Sequence, residues 1–244
     1  MANIFENFSL MNFYIYFSVS LIISFIWLSV CLYFDRKKPE PTKEIIKAFL
    51  WGMFAVFIAL FSGGPVSDLV KKLNLCWVAK IFVLSFFIDG LFEEGAKFLI
   101  LFKRFYPRKA FDEPKDGMIY GMTLGLGFAF FENIFYSIFP FQNLMDTLQE
   151  LLLRGISATL VHFLAGGIVG YFLAIAKFSN FSSSKKLKLI VLGLILAIVF
   201  HGLYNIFLRL NYFWILIPIA VLLVSVYFFI LKGIERLNYL KINN

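Results

Sequence analysis

The chain has 244 residues, of which 61% are hydrophobic, 20% aromatic and only 16% charged, and it carries a formal net charge of +8. So much apolar surface excludes a soluble domain of this size. The basic residues lie in short connectors rather than on one amphipathic face or in a tail, so their charge reads as topological rather than as a nucleic-acid footprint. Apolar stretches of about 18 residues or more separate those connectors, as in helices that satisfy their own backbone hydrogen bonds in lipid. The expected fold class is all-α: a polytopic membrane protein of about seven transmembrane helices, forming one integral-membrane domain over residues 1–244.

The first predicted span, 10–34, follows "MANIFENFSL" directly, with no cationic n-region or small-residue cleavage site, and is expected to be a retained anchor. The second, 44–62, follows "YFDRKKPEP". The third, 78–103, holds "LFEEGAKFLI", which sets Asp89, Glu93, Glu94 and Lys97 in an apolar run where an unpaired ionisable group costs several kcal/mol. Lys97 lies four and three residues after the two glutamates and can neutralise one of them. Adjacent residues point about 100° apart, which leaves the other free to face the bundle interior as a general base for water.

The fourth span, 117–139, contains "GMTLGLGFAFFENIFY": Gly121, Gly125 and Gly127 admit a close neighbour, and Glu132 with Asn133 sits deep among phenylalanines. The fifth, 153–176, carries His162 in "ATLVHFLAGGIVG", where the small residues again allow close approach. After the flexible loop "SNFSSSKKLK", the sixth span, 188–209, carries His201 and Asn205 four residues apart on one helix face, where both can donate hydrogen bonds to an oxyanion. Packing hydrogen bonds explain either residue equally well when each is taken alone. The seventh predicted span is 212–232.

Assigning the Lys- and Arg-rich loops to the cytoplasm places seventeen basic residues inside and five outside, with the N-terminus out and the C-terminus cytoplasmic. Cys31 and Cys76 then lie near opposite faces and are expected as free thiols without a metal role. At a rise of about 1.5 Å per residue, Glu93, Glu132, His162 and His201 lie roughly 15, 22, 21 and 18 Å from the cytoplasmic helix ends, so a single buried polar site is expected. His162, His201 and Glu132 are the metal ligands if a metal is bound, although no HExxH spacing is present, and the cofactor expectation stands between none and zinc. Two activities compete: a hydrolase, or a proton-coupled transporter or channel built on the same Glu/His/Lys set. The absence of two matching halves favours the hydrolase.

The motifs "DRKKPEP", "FEEGAK", "DGMIYGMTLGLGFAFFENIFY", "HFLAGGIVGYFLA" and "HGLYN", in this order, resemble the PrsW-type intramembrane proteases, distant relatives of the type II CAAX prenyl endopeptidases. The resemblance implies an endopeptidase of the cell membrane, multi-pass, cutting membrane-anchored protein substrates such as anti-sigma factors within the lipid bilayer, with no nucleic-acid partner. It carries over Glu93, Glu94 and His162 as the catalytic set, with His201 and Asn205 completing it and Lys97, Glu132 and Asn133 in support. The family is described as metallopeptidase-like, whereas the CAAX relatives point to a metal-free glutamate mechanism. The chain departs from those relatives in two places: Lys97 stands three residues after Glu94 instead of an arginine four after it, and Glu132 stands where they have a histidine.

Overall fold

The computed structural model describes residues 10–36, 38–138 and 144–210, together with scattered positions between 220 and 236. Among the described residues every regular element is helical. Helix α1 is Leu10–Asp35 and α2 is Thr42–Lys72. Helix α3 runs without interruption over 77–105, changing hydrogen-bonding pattern along its length. Helix α4 is Pro114–Ile138, α5 is Leu144–Ile156, α6 is Ala158–Phe178 and α7 is Ser183–Leu210. Among the described residues five stretches are long and apolar enough to cross a membrane: α1, α2, α4, α5 with α6 taken together, and α7. The expected seventh span, 212–232, lies mostly outside the described residues.

Two helices depart from the expected boundaries. Helix α2 continues ten residues beyond the predicted end, through Gly63, Gly64 and Pro65. Pro65 cannot donate to the carbonyl of Phe61, but one lost bond is tolerated in a long apolar helix that has a neighbour to pack against. Gly63 provides that packing, because a Cβ there would lie 3.1 Å from the Phe92 side chain on α3. The predicted fifth span divides in two at Ser157, whose backbone leaves helical geometry. The preceding α5 buries Thr147, Leu151 and Gly155 and exposes Met145, Leu152, Leu153 and Ile156. Trp27 on α1 anchors it by donating Nε1–H to the Gly155 carbonyl at 2.8 Å.

Helices α4 and α6 form the centre, buried along almost their whole length. Their register is antiparallel and set by glycines: Gly125 faces the His162 carbonyl, Gly121 faces Gly166, and Gly117 faces Gly170. A side chain at any of these positions would enter the opposing backbone. Helices α1 and α2 pack against α4, while α7 packs against α6 and α3. Four helices, α3, α4, α6 and α7, therefore surround one interior volume.

Candidate active site

The acidic motif of α3 lies where its backbone changes. Residues Leu84–Glu93 form wide π-type turns and Glu94–Ile100 ordinary α-helical ones. Wide turns are unfavourable in long runs and concentrate at functional sites. Glu93 ends the first section and Glu94 begins the second, so the two carboxylates leave the helix in different directions.

Glu94 points inward and is 1% exposed. Its Oε1 accepts from Lys97 Nζ at 2.6 Å and contacts His201 Nδ1 at 2.7 Å. Lys97, equally buried, also reaches His162 Nδ1 at 2.9 Å and lies 4.5 Å over the Phe128 ring. The other His162 nitrogen, Nε2, is 2.9 Å from Glu132 Oε2. The two imidazoles meet edge to face with centroids 4.9 Å apart. Five residues predicted for the site, Glu94, Lys97, Glu132, His162 and His201, thus form one continuous hydrogen-bonded chain across four helices.

Glu93 stands at the partly buried edge of this chain. Its Oε2 is buried without a hydrogen-bond partner and lies 3.9 Å from His201 Nε2. Glu93 also lines two cavities, a polar one of about 270 Å³ and an apolar one of about 420 Å³. Glu132 and Asp89 line both as well. Glu94 lines neither, so the neighbouring glutamates have different surroundings.

Asn133 and Asn205 lie away from the two histidines' ring contacts. Asn133 donates to Thr159 Oγ1 at 3.0 Å and accepts from Arg154 Nε at 2.8 Å. Asn205 borders the polar cavity and donates to Asp89 Oδ2 at 3.0 Å. Two arginines emerge that the sequence pattern did not single out. Arg154, at the end of α5, donates to Glu132 Oε2 at 2.7 Å. Arg209 binds Asp89 Oδ2 at 2.5 Å and Ser85 Oγ at 2.8 Å. Arg209 continues the spacing of His201 and Asn205 by one further turn, a usable signal; Arg154 precedes a helix break and gave none. Asp89, Glu93, Glu94 and Glu132 face Lys97, Arg154 and Arg209, so four carboxylates meet three fixed cations, leaving one negative charge for a proton or another cation to balance.

The donor set suits a divalent ion. Glu93, His162 and His201 each offer one ligand atom, all within 4.8 Å of one another, a His₂Glu set of the kind used in zinc hydrolases. The unpartnered Glu93 Oε2 supports this fit, as does the Glu94 carboxylate behind His201, the usual arrangement for orienting a ligating imidazole. Glu132, expected among the ligands, instead borders His162 and Arg154.

The chain matches the family model described as PrsW family intramembrane metalloprotease over residues 40–232. It is 30% identical over 218 residues to Protease PrsW of Clostridioides difficile, covering 89% of this chain and 85% of that protein. It is 30% identical over 191 residues to Protease PrsW of Bacillus subtilis, covering 78% and 81%, and 32% identical over 194 residues to that of Oceanobacillus iheyensis, covering 79% and 83%. No solved structure matches. These matches make peptide hydrolysis, rather than proton transport, the activity of the chain, which belongs to the PrsW family of intramembrane metalloproteases.

Proposed function

We propose that Glu93 and His201 hold and activate the attacking water, and that Glu94, Lys97, Glu132 and His162 fix the two histidines in place. The observation that carries this reading is the unpartnered Glu93 oxygen, 3.9 Å from His201 Nε2 at the junction of two cavities. With His201 neutral and its proton on Nδ1, both atoms are acceptors. A water about 2.8 Å from each subtends an angle of about 90° and can give one proton to either.

Glu93 takes a proton as the water oxygen bonds to the scissile carbonyl carbon. Arg154 and Asn205, on the wall of the polar cavity, supply N–H donors for the oxyanion. Collapse breaks the C–N bond, and the proton held by Glu93 passes to the leaving nitrogen, giving one new carboxylic acid and one new amine. A divalent ion held by Glu93, His162 and His201 would supply Lewis acidity and a more acidic water.

The whole chain is proposed as one seven-helix domain of the cell membrane, with the N-terminus outside and the C-terminus cytoplasmic. Its substrates are proposed to be membrane-anchored proteins, cut as a step in signalling of the anti-sigma-factor type. The alternation of basic loops supports the orientation. The test is cleavage of single-span protein substrates by the purified protein and by Glu93→Gln, Glu94→Gln and His162→Ala. Loss of a general base costs about 10²- to 10⁴-fold, so Glu93→Gln should be nearly silent. Unchanged cleavage in all three refutes the assignment. A chelator separates the two forms of the mechanism, since only an enzyme that needs its ion loses activity.

A further inference from the structure

The two cavities that meet at Glu93 differ in character. The polar one is walled by Arg154, Arg209, His162 and His201. The other, larger one lies between α2, α3 and α4, with Ala59, Gly63, Gly64, Ile88, Phe128 and Phe135 on its sides. It continues along α2 toward Ser67 and Lys71 at that helix's C-terminal end.

Such a groove accommodates several residues of extended chain, each advancing about 3.3 Å.

The two glycines on its α2 wall have opposite surroundings. Gly63 is closed against Phe92, the residue preceding Glu93. Apart from its chain neighbours, Pro65 among them, Gly64 has nothing within 4 Å of where its Cβ would be. Packing therefore does not require the missing side chain at 64, and an interior glycine costs helix stability. What its absence leaves is open volume in the wall of a groove that ends at the water-activating carboxylate.

We infer that Gly64 is a specificity-determining residue, and that the space beside it receives one bulky apolar side chain of an unwound substrate segment next to the scissile bond. This rests on the assignment of Glu93 as the water-activating group. The apolar cavity then seats the substrate while the polar cavity brings water from the opposite side.

The test uses a tagged single-span reporter whose cleavage site has been located by mass spectrometry, with the residues flanking the cut changed in turn to Ala, Leu and Phe. Wild-type protein is compared with Gly64→Ala, Gly64→Leu and Gly64→Phe. As the side chain at 64 grows, cleavage of the Phe reporter should fall by about 10- to 100-fold, while the Ala reporter stays within about 2-fold. Thermal unfolding in detergent confirms that the variants remain folded, as the open volume at 64 leads one to expect. An unchanged Phe-to-Ala preference in Gly64→Phe overturns the inference even if Glu93→Gln is inactive. Equal loss on all reporters also overturns it, since that is obstruction without selection. Cleavage that survives Glu93→Gln removes the reading on which the inference rests.

Discussion

Replacing Gly125 with alanine tests whether the glycine register of α4 and α6 positions the chemistry. A Cβ at 125 would lie 2.8 Å from the His162 carbonyl carbon, and closer still to its oxygen. Comfortable carbon–carbon contact begins at about 3.5–4.0 Å, so the helices must part locally by about 1 Å. Glu132 shares α4 with Gly125, and His162 is on α6. The 2.9 Å contact between His162 and Glu132 then stretches to about 3.9 Å, beyond hydrogen bonding. Overpacking of this kind costs about 1–3 kcal/mol of stability, and a displacement of about 1 Å at reacting groups about 10²-fold in rate. Gly170→Ala is the control, because its Cβ would meet the Gly117 carbonyl carbon at 2.5 Å in the same interface. It lies eight residues from His162, about 12 Å along the helix. Both variants should lower the unfolding temperature in detergent, but only Gly125→Ala should lose about 10²-fold in turnover per folded molecule. Equal turnover losses in the two, or none in Gly125→Ala, refute the argument.

Arg154→Gln should lower turnover by about 10-fold or more, because Glu132 loses its guanidinium and the polar cavity loses a donor; partial recovery in Arg154→Lys, seen in the same cleavage assay, would separate charge from shape. Outside the site, Lys115→Ala should cost about 3–5 kcal/mol in denaturation experiments, since it strands the buried Asp35 carboxylate 3.0 Å away. Lys38→Ala should cost less than Lys115→Ala: its bond to Asp112 is half exposed and screened by solvent, and the buried Glu113, which it also pairs with at 2.9 Å, keeps Lys115 at 3.8 Å. Burial raises the Glu40 carboxyl above its ordinary 4.5, with Asp35 and Asp112 adding to the shift against donation from Tyr120. The folded state therefore binds this proton more tightly than the unfolded chain, and stability falls as pH rises from about 4.5 through the raised value. A melting temperature that declines over that range in wild type, but less in Glu40→Gln, confirms the sign.

Much of this was legible in the sequence, for identifiable reasons. An ionisable residue in an apolar run has few explanations, so Glu93, Glu94, Lys97, Glu132, His162 and His201 could be picked out by composition, and helical rise brought them to one depth. The pairing of Lys97 with one glutamate followed from i,i+3 spacing, and Glu94 is the one it takes at 2.6 Å. Three features were not legible. The wide turns of Leu84–Glu93 leave no periodic signature, so the direction of Glu93 could not be derived. The Gly63–Pro65 segment reads as a helix end, and only the Phe92 ring against Gly63 explains why α2 continues. Arg154 reaches Glu132 from just before the break at Ser157, a tertiary contact that local pattern does not encode.

The contacts of the two histidines also assign them different work. Lys97 has only protons to give, so His162 Nδ1 accepts and its Nε2–H is directed at Glu132. Glu94 as a carboxylate only accepts, so His201 carries a proton on Nδ1, and in its neutral form it turns the Nε2 lone pair toward Glu93. His201 is therefore already in the tautomer that can accept from water or ligate an ion, with Glu94 orienting it as a second carboxylate does behind many metal-bound imidazoles. His162 is not: to ligate through Nε2 it must release that proton, and Glu132 is the base beside it. Two acceptors, Glu93 Oε2 and His201 Nε2, face each other at 3.9 Å, an arrangement stable only around a proton, a water or a cation. Of the two adjacent glutamates, Glu94 is held through Oε1 by Lys97 and His201, whereas Glu93 borders both cavities and faces only His201 Nε2, at 3.9 Å.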